Sequence, residues 1–250
     1  MRGFGALLKK EITEQLRTYR IVVVGGVFLL FGITTPLMLK YLPELIRLAG
    51  EQMEINIPPP TAVQSLAEYS GTVGQIGVLV AVLVAMGSVA NEVQRGTAAM
   101  TLSKPVSRAA FVSAKLAAMS LTFAVSLTVA SVVCLAYTVW LIGPVNVANF
   151  AGLNLLVFGF LVFCLAVTVL FSSLFRSSLA AGGVSIGILV AQAGLSVLPW
   201  IGDYMPGKLL GWGTGLLGDG KPYWTALAFT VVLAAVCVYV SQRALKNREM

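Results

Sequence analysis

Apolar residues dominate this chain in six long runs that are separated by shorter polar stretches. The runs cover approximately residues 21–39, 73–90, 116–142, 153–174, 179–198 and 224–240. A helix rises about 1.5 Å per residue, so about 20 apolar residues cross the roughly 30 Å of hydrocarbon in a bilayer. The pattern therefore predicts an all-α integral membrane fold in which residues 21–250 form one domain with six transmembrane helices.

A helical periodicity precedes the first run. Within residues 1–20, apolar residues recur at three- and four-residue spacing, and most charged residues lie elsewhere on the helical wheel. This pattern predicts an amphipathic interfacial helix. A signal peptide is the alternative, but the apolar run that follows is longer than the 7–15 or so residues of a signal core, and no small-residue cleavage site is evident.

The two longest polar connections outside the basic loop have their own local signals. In residues 40–72 we expect a short helix around Leu42 to Leu48, and a second one that restarts after Thr61, which forms a capping-box pattern with Gln64. Residues 199–223 are rich in glycine, tryptophan and leucine. A surface loop need not be so apolar, so we expect a partly re-entrant or interfacial segment there.

The most basic interruption between apolar runs is the stretch 91–115, which reads NEVQRGTAAMTLSKPVSRAAFVSAK. Gly96 can adopt the left-handed conformation that ends a helix, and Thr97 can cap a new turn. A short helix from Thr97 to about Ser103 must stop before Pro105, because proline lacks an amide donor. Ser107 can cap the next helix. The stretch therefore predicts a compact loop between the second and third spans.

The positions of the basic residues predict the orientation. With six spans, both termini and the 91–115 loop lie on one side of the membrane. That side holds all of the 17 basic residues except Lys40, Arg47, Lys208 and Lys221. By the positive-inside rule, this side is cytoplasmic.

Composition removes several classes of function. The chain is 58% hydrophobic and 11% charged, and the basic residues behind its net charge of +7 flank apolar runs, which argues against nucleic-acid binding. It has no histidine, so histidine-activated nucleophiles and the usual zinc sites are excluded.

The three cysteines fall in apolar runs and are expected to be small buried hydrophobic residues. The segment 215–221, GLLGDGK, has the spacing of a phosphate-binding loop, but Pro222 replaces its last hydroxyl residue.

None of the 10 carboxylates falls within a predicted span. Proton-coupled carriers generally place ionisable groups at membrane depth. A transporter without such groups most easily draws its energy from outside the bilayer, although sodium coupling through backbone carbonyls stays open.

The fifth span carries small residues at four-residue spacing, Gly183, Gly187 and Ala191. Such a stripe allows two helices to approach closely, either within the chain or between subunits. Gln192 and Ser196 lie near it and are candidates for lining a path, or for simple hydrogen bonding between helices.

The loop also resembles a known family. Its residues match the pattern E, RGT, LSxP, SR, F and K of the ABC-2 type permeases, the membrane subunits of ATP-driven exporters. The matching residues are Glu92, Arg95, Gly96, Thr97, Leu102, Ser103, Lys104, Pro105, Ser107, Arg108, Phe111 and Lys115. The sequences Lys9-Lys10-Glu11 and Leu16-Arg17 resemble the amphipathic start of the same family.

The resemblance implies a role for each of these segments. The loop 91–115 would contain the coupling helix that docks on a separate ATPase, with Glu92, Arg95, Gly96, Thr97, Leu102, Pro105 and Arg108 in that contact. Lys10, Glu11 and Arg17 would belong to the cytoplasmic elbow helix. Two ATPase subunits would bind ATP and Mg²⁺, so this chain would need no cofactor or catalytic residue, and a second permease copy, identical or related, would complete the transporter.

The expected function is therefore export across the cell membrane, with the direction implied by the resemblance alone. Two alternatives stay open. One is a membrane assembly or sensory subunit that moves nothing, and the other is an ion-coupled carrier, which the absence of carboxylates from the spans disfavours. The sequence does not identify the substrate.

Overall fold

The computed structural model describes residues 3–49, 59–97, 103, 106–218 and 220–246. These residues form helices joined by turns, with no strand among them. In chain order the helices are α1 (Phe4–Arg17), α2 (Arg20–Ala49), α3 (Ala62–Ala85), α4 (Ala90–Gln94), α5 (Arg108–Leu141), α6 (Val147–Leu174), α7 (Ser178–Leu195), α8 (Lys208–Gly215) and α9 (Trp224–Lys246). The predicted all-α fold is confirmed.

Six of the helical stretches in this part of the chain are long and apolar enough to cross a membrane. They correspond one to one to the six predicted spans, which are therefore confirmed. The helices extend beyond the apolar runs, because α3 begins at Ala62 and α5 at Arg108. Polar residues in these extensions are buried by other helices; the Ser65 hydroxyl, for example, is hydrogen-bonded to that of Thr138 at 3.1 Å.

The first span differs most from its prediction. Helix α2 continues without interruption to Ala49 and contains Pro36 and Pro43, so the separate helix expected around Leu42 to Leu48 is the end of this span. The uncharged apolar run ends at Leu39, before Lys40, and the predicted span ends there for that reason. Transmembrane helices tolerate proline where neighbouring groups satisfy the freed backbone, and α2 runs through both positions.

Side-chain caps define the starts of four helices. Thr61 accepts a hydrogen bond from the amide of Gln64 at 3.2 Å, and Ser107 accepts one from Ala110 at 3.1 Å, as predicted from the sequence. Asn146 and Ser177 cap α6 and α7 in the same way. Each cap satisfies an amide that the helix itself leaves without a partner.

Helices α2 and α5 pack with their backbones close together. A Cβ atom added to Gly32 would lie 2.7 Å from the carbonyl oxygen of Ala130. Phe28 and Phe123 pack edge to face in the same interface, with ring centroids 5.6 Å apart. The absence of a side chain at Gly32 therefore permits the contact that joins the first and third spans.

The segment 199–223 is folded against the spans. After a 3₁₀ turn over Gly202–Tyr204, α8 buries Leu209 and Trp212 against α6 and α3. Trp212 also meets Trp224, at the start of α9, with ring centroids 4.9 Å apart. The segment predicted to be partly re-entrant or interfacial thus contains a helix that packs on two spans. Its phosphate-loop-like sequence is closed by a 3.0 Å hydrogen bond that the Gly220 amide donates to the Gly215 carbonyl.

Candidate functional site

Three helices meet at one end of the bundle, close to the basic loop. They are α1, the short α4 that follows the second span, and the beginning of α5. Arg108, at the start of α5, also donates a 2.6 Å hydrogen bond to the carbonyl of Leu245 near the end of α9. The N-terminal helix, the loop and the C-terminal helix therefore lie at the same end of the molecule, as the predicted topology requires.

Gly96 ends α4 in the conformation that its sequence position predicts. Its φ is +72°, and its amide donates a 3.2 Å hydrogen bond to the carbonyl of Val93. The Thr97 hydroxyl donates to the carbonyl of Glu92 at 3.2 Å. Gly96 and Thr97 thus both bond to carbonyls of the last turn of α4. The predicted short helix from Thr97 to Ser103 lies mainly outside the residues that the structure describes, as do Leu102 and Pro105.

Lys115 lies at the centre of the meeting point. Its ammonium group contacts both carboxylate oxygens of Glu11, on α1, at 2.9 and 3.1 Å. It also donates to Oε1 of Glu92, on α4, at 2.8 Å. We call Lys115, Glu11, Glu92 and Lys10 the ion cluster, because the Lys10 ammonium bridges the same two carboxylates at 3.2 and 3.3 Å.

The ion cluster is largely removed from solvent. The side chains of Lys115 and Glu11 are 3% and 9% exposed, and that of Glu92 is 15% exposed. Desolvating an ion costs several kcal/mol, so such a lysine is stable only when its charge is paired and its donors are used. Lys115 satisfies this condition with two carboxylates from two different helices, which makes it the link between them.

Lys10 closes the ion cluster from the outer side, where its side chain is 44% exposed. Burial alone would lower the pKa of Lys10, but the carboxylates of Glu11 and Glu92 outweigh that effect and hold its pKa above the ordinary value. A raised lysine pKa means that the ammonium charge, and the stability it contributes, is fully present at neutral pH and is lost only under strongly alkaline conditions.

One edge of the apolar side of α1 faces the bundle. Its buried residues are Leu7, Glu11 and Gln15, at four-residue spacing. The Glu11 carboxylate accepts a hydrogen bond from Lys115, and Gln15 accepts one from Thr122, about two helical turns further along α5. By contrast Leu16 and Tyr19, which belong to the predicted apolar face, are 53% and 71% exposed.

The other residues assigned to docking or to the elbow have different environments. Arg95 and Arg17 are exposed, whereas Arg108 is half-buried and bound to α9. Glu92, expected at an ATPase contact, has its described ion pairs within this chain. Lys115 belongs to the motif that resembles the ABC-2 permeases, but it is not among the predicted site residues. Its position directly before an apolar run is the sequence signal that could have identified it.

A cavity of about 540 Å³ adjoins the ion cluster between α1 and α4. Its lining includes Glu14, Ser88 and Arg95 in addition to the ion cluster. One oxygen from each of Glu11, Glu14 and Glu92 lies within 4.8 Å of the others, which is a spacing that could hold a metal ion. Here two ammonium groups already contact these three carboxylates, so the chain's own cations balance two of the three negative charges.

The small-residue stripe of the fifth span faces away from the rest of the chain. A Cβ added to Gly183 or Gly187 would have no atom of another element within 4 Å, and Ala191 is exposed. Helix α7 instead packs through a different face, which buries Ala181, Ser185 and Leu189. The stripe does not serve packing within the described part of this chain, and its role as a subunit interface stays a prediction.

Gln192 and Ser196 contact each other at the end of α7. The Gln192 amide donates to the Ser196 hydroxyl at 3.0 Å, and that hydroxyl donates to the Gln192 carbonyl at 3.0 Å. Both side chains also approach Gly207, where an added Cβ would lie 2.8 Å from the Ser196 oxygen and 3.1 Å from the Gln192 nitrogen. These contacts favour a packing role at the entry to α8, and their predicted place along a path stays untested.

Two comparisons place these features among known proteins. A sequence profile described as "ABC-2 family transporter protein" matches residues 6–201. A protein from Bacillus subtilis (strain 168), described as "Uncharacterized transmembrane protein YxlG", is 25% identical over 213 residues, which cover 84% of this chain and 83% of that protein. The profile extends over α1 to α7, and therefore includes all four residues of the ion cluster.

Proposed function

Because this chain belongs to the ABC-2 family of transporter proteins, we propose that it is the permease subunit of an ATP-driven exporter whose ATPase is a separate cytoplasmic protein. The family and the six apolar helices make it a multi-pass membrane protein of the transporter class. Export, the cell membrane as its location and the ATPase partner are the further steps of the proposal.

The observation that carries the proposal is the ion cluster. Residues 91–97, at the start of the basic loop, are joined through Glu92 and Lys115 to the third span, and through Lys10 and Glu11 to α1. A force applied to the loop is therefore transmitted at once to two further elements. A loop that only connected two spans would need no buried lysine that binds two carboxylates.

The mechanism follows from this connection. ATP binding in the partner would close its subunits and move the loop, which Gly96 ends in a defined left-handed turn. Lys115 would carry that displacement to the base of α5, which packs closely along α2 at Gly32. Hydrolysis and the binding of ATP and Mg²⁺ would take place in the ATPase, and the residues of this chain would transmit movement.

A complete transporter would contain two ATPase subunits and a second permease copy, identical or related. The exposed stripe of Gly183, Gly187 and Ala191 supports such a second copy, because it provides a face where helices can approach closely and no part of the described chain covers Gly183 or Gly187. The route would then lie between the two permease chains.

The proposal is tested by purifying the chain from its own membranes under mild conditions. We expect an ABC ATPase to co-purify in equal amount, and its hydrolysis to respond to transported compounds. The variant Lys115→Met should reduce both the amount of bound ATPase and its stimulation, whereas Lys40→Met at the other end should not. Purification without any ATPase, together with activity in its absence, would contradict the proposal.

The orientation is tested by labelling in intact cells. In a background without native cysteines, single cysteines at Ala62 and Thr214 should react with an impermeant thiol reagent, and one at Ser103 should not. The reason is that α3 begins, and α8 ends, on the side opposite to the basic loop. Labelling at position 103 would reverse the proposed orientation.

A further inference from the structure

A groove of about 460 Å³ runs between α5 and α6 on the outside of the bundle. It is lined by residues between Ala124 and Leu135 on α5 and between Val147 and Phe158 on α6. None of the residues that line it is charged. Leu127 and Phe150 form its floor, where each is only 3% exposed to a water-sized probe.

The length of the groove along the helices is close to the hydrocarbon thickness of one bilayer leaflet. It begins at Val147, the first residue of α6, and ends near the middle of that helix. Eleven residues of helix correspond to about 17 Å, and half of the hydrocarbon thickness is about 15 Å. Because the apolar run of α6 begins at about residue 153, the groove starts at the membrane interface beside the α5–α6 turn and extends into the hydrocarbon of one leaflet, so its occupant enters from the membrane.

Polar groups beneath the groove are already satisfied by the protein. The Ser131 hydroxyl lies 2.6 Å from Oδ1 of Asn154 and 2.7 Å from the Leu127 carbonyl oxygen, and the Asn154 amide donates to the Phe150 carbonyl at 2.9 Å. The Thr128 hydroxyl donates to the carbonyl of Ala124 at 2.7 Å. Each of these side chains has a hydrogen-bond partner within the protein, and the rest of the lining is apolar, which favours an apolar occupant.

From these features we propose that the groove binds one acyl chain of a phospholipid from the leaflet that surrounds the α5–α6 turn. A helix of a second copy would not fit inside it, because a helix about 10 Å across fills roughly 1,300 Å³ over the same length. The volume is within the range of about 300–1,000 Å³ that small-molecule sites occupy. A single flexible hydrocarbon chain matches the length, the width and the absence of charge.

The site is tested with proteoliposomes that contain a phosphatidylcholine bearing a diazirine in the middle of one acyl chain. After illumination, labelled positions are mapped by mass spectrometry of peptides. We expect label on Leu127 and Phe150, which are accessible only to a chain that has entered the groove. Label on Leu83, which is 63% exposed on α3, reports ordinary contact with surrounding lipid and provides the reference.

A matched pair of variants separates groove binding from surface contact. Ala151→Leu adds a side chain within the groove and should abolish label on Leu127 and Phe150 without changing label on Leu83. Ala136→Leu makes the same chemical change at an exposed position of α5 that does not line the groove, and it should leave all three labels unchanged.

Three results would overturn the proposal. The first is wild-type protein with no label on the floor of the groove. The second is equal floor labelling in wild-type protein and in the Ala151→Leu variant. The third is efficient disulfide formation between two copies that carry a single cysteine at position 151, with loss of floor labelling, since it would show that a second copy covers the groove.

Discussion

Removing the central ammonium group of the ion cluster should release α1 from the bundle. In Lys115→Met, the carboxylates of Glu11 and Glu92 lose their buried partner, and their side chains are only 9% and 15% exposed. Removing one member of a buried ion pair costs about 3–5 kcal/mol, because an unpaired charge is left behind. Lys10→Met should cost no more than about 1 kcal/mol, since that ammonium group is 44% exposed.

The assay is the modification rate of a single cysteine at position 7, in a background that lacks Cys134, Cys164 and Cys237. Leu7 is 7% exposed on the inward face of α1, so its replacement reacts only when α1 opens. A cost of 3–5 kcal/mol raises the open population, and with it the rate, by roughly 160- to 5,000-fold. Lys10→Met should raise it by no more than about fivefold.

A charge-neutral variant provides the control. Lys115→Met combined with Glu11→Gln and Glu92→Gln removes the unpaired charges, so much of the protection of position 7 should return. The reasoning would be refuted by equal modification rates in Lys115→Met and Lys10→Met, or by no recovery in the triple variant.

Two further predictions concern packing within the bundle. Gly32→Ala should lower the midpoint of thermal unfolding in detergent by several degrees, because the added Cβ would lie 2.7 Å from the Ala130 carbonyl oxygen. Gly26→Ala adds a Cβ where no other atom lies within 4 Å, so it should not lower the midpoint. Equal midpoints for the two variants would contradict the close α2–α5 contact. Leu189→Ala should lower the free energy of unfolding of the isolated chain by about 2–5 kcal/mol, because Leu189 is only 4% exposed. Gly187→Leu should leave that stability unchanged but weaken self-association, measured by crosslinking. A larger loss of stability in Gly187→Leu than in Leu189→Ala would contradict the packing face of α7.

The sequence predicts the elements of this fold well because their signals are local. Six apolar runs, the caps at Thr61 and Ser107, and the left-handed residue at Gly96 each depend on a few neighbouring residues. The continuation of α2 through Pro43 could not be predicted in the same way. The local cost of proline and the charge of Lys40 are visible in the sequence, whereas the continuation of the helix to Ala49 is not.

The ion cluster depends on contacts between distant parts of the chain. On the helical wheel, Glu11 and Gln15 lie between Leu7 and Leu8 on the apolar side of α1, and Lys115 and Thr122 on α5 are the partners that allow polar residues there. Which polar residue finds a buried partner is decided by the packing of helices about 100 residues apart, and periodicity within one helix carries no information about it. For the same reason, the partners of Glu92 became evident only from the structure.

The most direct test of the account is transport by the chain reconstituted with the proposed ATPase partner. Gly96→Val should insert at the wild-type level yet lose both transport and substrate-stimulated hydrolysis, because a β-branched residue is strongly disfavoured at a φ of +72°. Gly26→Val, at an open position of α2, should retain both activities. Transport by liposomes that contain this chain alone, driven by an ion gradient without ATPase, would contradict the account.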